Sequence, residues 1–153
     1  MSASSPLEHA IRLAEDNVAA GGGPFGAVLV TPDGQEFVGT NRVTATPDPT
    51  AHAEVEALRA AARALGTADL AGSTLHASCE PCPMCLSAAL WARVDRLVHA
   101  ASQQDAAEAG FDDETFYRQI RGGVTDMLVE HDPHPARLVP FRAWSEHEGR
   151  QPY

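Results

Sequence analysis

The chain has 153 residues, 44% of them hydrophobic, which is enough for one domain with a substantial core. Its net charge is −10, with 11 arginines and no lysine, and this weighs against a nucleic-acid binder, because such proteins carry a basic field. No run approaches a membrane span, and the N-terminus lacks a charged-then-apolar signal pattern; the three cysteines, all between 79 and 85, form no disulfide framework and suit a reducing, cytoplasmic compartment.

Residues 1–5 read as frayed. Ser5-Pro6-Leu7-Glu8 reads as a capping box with proline at the first helical position. Leu7, Ile11, Ala14 and Val18 then mark one face of a helix ending at Gly21-Gly22-Gly23. The apolar run Pro24–Val30 predicts a buried strand, Pro32-Asp33-Gly34 a turn, and Glu36–Thr40 the return strand of a hairpin. Asn41 follows it, either as a turn residue or as an amide that can both donate to and accept from a base. Residues 43–49 form a loop leading to His52.

Val55, Leu58, Ala62 and Leu65 predict a helical apolar stripe, with Gly66 as its C-terminal cap. Ser73–Ser78 reads as a strand, Cys82–Trp91 as a helix, and Arg96–Ala101 as a further strand, parallel to the preceding one by a right-handed crossover. Residues 102–113 read as a loop with a short helical turn. Asp112 or Asp113 is a candidate cap for a helix over 114–121, which Gly122-Gly123 ends. Val124–Glu130 reads as strand or helix, and residues 137–147 as a terminal helix containing Phe141 and Trp144. Tyr153 closes the chain.

Two stretches carry chemistry. His52-Ala53-Glu54 and Pro81-Cys82-Pro83-Met84-Cys85 spell H-x-E, a spacer, then P-C-x-x-C, the zinc-deaminase signature. Zn²⁺ favours thiolate sulfur and imidazole nitrogen, and a catalytic site leaves its fourth position to water. Cys82 and Cys85 are three apart and share one helical face, with Pro83 suited to the first helical position. His52 and Glu54 would point about 200° apart within a regular helix, so the motif straddles a helix start. Glu54 borders the apolar stripe, and a carboxylate turned inward needs a role or a partner. A structural zinc would want a fourth protein ligand, and Cys79, the only spare thiol, reads as a packed or loop residue.

Pro24–Val28, Asp48–Glu54, Cys79–Cys85 and Asp105–Asp113 together resemble the bacterial guanine deaminases of the cytidine-deaminase-like superfamily. The resemblance implies a three-layer α/β/α fold with a mixed sheet of about five strands, in a single domain spanning 1–153. It implies one zinc per subunit held by His52, Cys82 and Cys85, with Glu54 as the proton shuttle. It further implies a homodimer in which the C-terminal segment, 137–153, crosses to cover the partner's site. Asn41, the backbone near Ala53, Asp113 and Tyr153 would contact the purine, with Phe25 and Trp91 as candidates for its packing wall. The expected reaction is hydrolysis of guanine to xanthine and ammonia. Related small rings (cytosine, a modified guanine, a pterin, a triazine) stay open, because a pocket discriminates single groups only modestly. A tRNA adenosine deaminase and a zinc-stabilised binding module without catalysis are two further readings of the same motif.

Overall fold

The computed structural model describes residues 4–153; the expectation of a frayed N-terminus falls mainly on residues 1–3, which lie outside the described residues. Helix α1 (Pro6–Ala19) opens on the expected box: the Glu8 N–H donates to Ser5 Oγ at 3.2 Å, and the Ser5 N–H donates to the Glu8 carboxylate at 2.8 Å. Strands β1 (Gly26–Val30) and β2 (Glu36–Thr40) form the hairpin, with Gly34 at φ 87° in its turn. Helix α2 (Ala53–Leu65) ends at Gly66, whose φ of 68° is one that L side chains resist. Strand β3 (Thr74–Cys79), helix α3 (Pro83–Trp91) and strand β4 (Arg96–Ala101) follow as one crossover unit.

The sheet runs β2-β1-β3-β4, with β1 antiparallel to both of its neighbours and β3 parallel to β4. The mixed sheet is therefore as expected, but it has four strands among the described residues rather than about five. Val124–Glu130, read from sequence as strand or helix, is neither. After Gly123 (φ 66°) the chain leaves the body of the protein, and Val124 and Leu128 are 75% and 80% exposed, so the segment has no sheet edge to join. Short α4 (Gln103–Glu108), α5 (Asp113–Gly122) and α6 (Val139–Glu146) complete the chain.

The two long helices approach the sheet more closely than their large apolar residues suggest. On α1, Ala10 and Ala14 are buried while Ile11 and Val18 are about half exposed. On α2 the buried face is Ala53, Glu54, Ala57, Leu58 and Ala61, while Val55 and Ala62 are only partly buried and Leu65 is exposed. Both corrections have one cause. Gly26 lies against the Ala10 carbonyl, and Gly39 against the Ala53 carbonyl and the Ala57 N–H, so backbone meets backbone. Alanines fill most of the buried positions beside such contacts, Leu58 being the one large apolar side chain buried on either helix, and the other bulky ones turn outward.

Gly39→Ala tests this packing. Its Cβ would fall inside the contact radius of main-chain atoms of α2, which cannot rotate away. The expected loss is about 3 kcal/mol or more, at or beyond the top of the usual overpacking range, read as a fall in the midpoint of denaturant unfolding.

Candidate active site

His52 and Cys82 occupy equivalent positions, each at the N-cap of its helix with extended backbone and with no side-chain bond to the helix. Freed from capping, both side chains project beyond the helix ends, and Cys85, in the first turn of α3, joins them. His52 Nδ1 lies 3.6 Å from Cys82 Sγ and 3.4 Å from Cys85 Sγ, and the three donor atoms all fall within 4.8 Å of one another. Zinc bond lengths of about 2.3 Å to sulfur and about 2.1 Å to nitrogen, at tetrahedral angles, give a sulfur–nitrogen edge of about 3.6 Å. The residues fit the ion. No further His, Cys, Asp or Glu joins the group among the described residues. Cys79 turns away, its sulfur 3.7 Å from the Ser102 carbonyl, and burial pushes its thiol up to about 11. Three protein donors are the set of a catalytic zinc rather than a structural one.

Charge is concentrated here. A hydrogen bond from Cys85 holds the Cys82 thiol down to about 4, and donating that bond, together with burial, holds Cys85 up. His52 is raised by its hydrogen bond to Cys82. Glu54 is 7% exposed, and burial pushes its carboxyl above the ordinary range, with the Cys82 thiolate adding to the effect and its own backbone N–H opposing it. Asp113 is raised by burial first and by Cys82 second.

A cavity of about 410 Å³ opens on this group, walled by Phe25, Asn41, Glu54, Phe111 and Asp113. That lies at the low end of the ~300–1,000 Å³ typical of small-molecule sites. Asn41 Oδ1 accepts from the Val43 N–H at 3.2 Å, and its amide nitrogen makes no hydrogen bond among the described residues. Asn17 fixes this wall from behind, donating to the Gly23 and Asn41 carbonyls at 2.8 and 2.9 Å. A second lobe, about 670 Å³, runs from His52 and Cys82 along Met84, Phe116 and Ile120 to Met127.

The structure thus brings His52, Glu54, Cys82, Cys85, Asn41, Phe25 and Asp113 together. Ala53 is fully buried beside the metal group. Trp91 and Tyr153 are not in this cavity. Trp91 ends α3, about 12 Å along the helix from Pro83 at 1.5 Å per residue, and it faces Tyr153 with ring centroids 5.8 Å apart. The pair lines a separate hollow with Arg93 and Asp69. Sequence reasoning assigned no role to Phe111, whose ring meets Phe25 edge-on at 4.9 Å, or to Phe116. A signal existed: Asp113, Phe116, Tyr117 and Ile120 fall at i, i+3, i+4 and i+7, one face of a helix.

A buried acid beside a three-ligand zinc site, at the base of a small cavity, defines a zinc hydrolase of small substrates. Residues 2–101 match the family described as the cytidine and deoxycytidylate deaminase zinc-binding region, and the chain belongs to that family. It is 44% identical to the guanine deaminase of Bacillus subtilis (strain 168), over 96% of both chains. The X-ray structure of guanine deaminase from Bacillus subtilis superposes with a TM-score of 0.92 at 43% identity, covering 100% of this chain and 99% of that one. A tRNA-specific adenosine deaminase of Haemophilus influenzae is 41% identical over 68% of this chain and 61% of its own length.

Proposed function

We propose that the protein hydrolyses guanine to xanthine and ammonia, within purine salvage or catabolism. One observation carries the reading: likeness to a guanine deaminase continues through the residues beyond 101, where the match to the general zinc-binding region stops. Those residues include Asp113 and Phe111, which wall the cavity. The acidic surface separates this chain from a deaminase that must hold a tRNA.

His52, Cys82 and Cys85 would hold a zinc ion, and the chemistry that ion would supply there is a nucleophile at neutral pH. Glu54 does the proton work. Its buried carboxylate accepts the proton that water gives up and passes it to a ring nitrogen as the new C2–O bond forms; it then takes the proton of the new C2 hydroxyl and delivers it to the amine as the C2–N bond breaks, leaving the C2 carbonyl and ammonia. Burial suits both halves of that cycle, since it makes the carboxylate a stronger base than one in water. The free Asn41 amide donates to an oxygen or nitrogen of the base edge, Asp113 accepts from an N–H, and Phe25 supports the ring's face. Orientation of this kind is what turns a bound ring into a reacting one.

The working unit is a homodimer. Every residue from Ile120 to Tyr153 is exposed on the isolated chain, including Phe141 at 68%, and α6 packs substantially on no other element. Such an apolar arm needs a second surface. Residues 137–153 cover the partner's site, and Tyr153 meets the partner's substrate rather than its own. No helix among the described residues is long and apolar enough to cross a membrane. Three free cysteines, two of them zinc ligands, suit the cytoplasm.

The test is ammonia release from purified protein across purines, pyrimidines, pterins and triazines. Guanine is expected to turn over fastest by at least ~10-fold, a margin within what a missing polar contact commands. Faster release from cytosine or from an adenosine substrate would overturn the assignment.

A further inference from the structure

Helix α5 carries Asp113 and Phe116 into the site, yet none of its residues is buried. Core packing therefore does not fix where this wall stands. Its side-chain bonds are otherwise local: Thr115 to Asp112, Arg118 to Thr115, and Gln119 to Asp126 just beyond the helix end. Tyr117 is the exception. Its hydroxyl donates to the Pro81 carbonyl at 2.6 Å, on the residue immediately before the zinc ligand Cys82. Among the described residues this is the only side-chain hydrogen bond between α5 and the loop that presents the cysteines. Tyr117 stands one helical turn after Asp113, on the same face. Pro81 has no N–H of its own, and the following segment is locked into the first turn of α3, so the carbonyl is a rigid anchor.

We infer that Tyr117 is a positioning residue: by hanging α5 from the Pro81 carbonyl, it sets the distance between Asp113 and the zinc-bearing loop, and so the fit of the base. The inference rests on the reading of the cavity as a nucleobase site.

Tyr117→Phe keeps the ring and deletes the bond. It is expected to raise KM about 3- to 10-fold, the range of one net hydrogen bond, with kcat within about twofold and zinc content unchanged. Asp113→Asn supplies the second arm of a double-mutant cycle. If Tyr117 acts through Asp113, the double variant has a KM no worse than that of Asp113→Asn alone. Additive increases, an unchanged KM in either single variant, or loss of zinc from Tyr117→Phe would overturn the inference. The measurements use guanine or, should guanine fail, whichever ring of the panel releases ammonia fastest. Failure of the substrate assignment is then seen in the unaltered protein, and failure of the positioning role in the cycle.

Discussion

Glu54→Gln is expected to lower turnover by about 10²–10⁴-fold, the range of a positioned acid–base group, while leaving zinc content and thermal stability near those of the parent. The side chains have nearly the same size, so the buried slot beside Cys85 stays filled. What is lost is the ability to take a proton and return it. On the proposed mechanism a carboxylate here would serve both steps, because Glu54 lines the same cavity as His52 and Cys82 and burial favours its protonated form. Metal analysis and ammonia release on the same preparation decide the matter. A variant that retained zinc and most of its activity would remove Glu54 from the mechanism. One that lost zinc would show instead that the acid serves the metal site.

The second large effect concerns the arm. Ending the chain before Phe141 is expected to raise KM by ~10–100-fold, the equivalent of losing aromatic stacking worth about 1–3 kcal/mol on a base. The unfolding midpoint of the body should barely move, because α6 contributes no substantial packing to it. A complementation experiment separates service within one chain from service across two. Truncated protein with intact Glu54 is refolded together with full-length Glu54→Gln. At substrate concentrations well below the raised KM each alone is only weakly active, but a mixed dimer has one site with both a working acid and a covering arm. Recovered ammonia release supports exchange of the arm between protomers. A mixture as inert as its parts would mean that the arm serves its own chain or none.

The parts of this fold that are legible in the sequence share a property: their geometry is decided within a few residues. The box at Ser5–Glu8, the hairpin around Gly34 and the cap at Gly66 all stand where the local chemistry puts them. The zinc group is legible because two helix starts, each read from its own residues, need only to face each other. What is not legible depends on partners distant in sequence. Ile11, Val18 and Leu65 look like core residues when size is the guide, whereas Gly26 and Gly39 reserve those faces for alanine. Val124–Glu130 has the composition of an ordered element, but among the described residues it joins no strand, and its side-chain hydrogen bonds to the rest of the chain run only to Gln119. Trp91 and Tyr153 meet each other rather than the zinc group, a pairing that no spacing along the chain encodes.

The glycine at position 39 has a consequence for the precision of the site. Asn41 lies two residues beyond it, and Glu54 one residue into the helix it touches. The separation between the backbone positions that carry Asn41 and Glu54 is therefore gauged by atoms of the polypeptide's own spine in hard contact. Such a gauge does not drift as side chains elsewhere are exchanged.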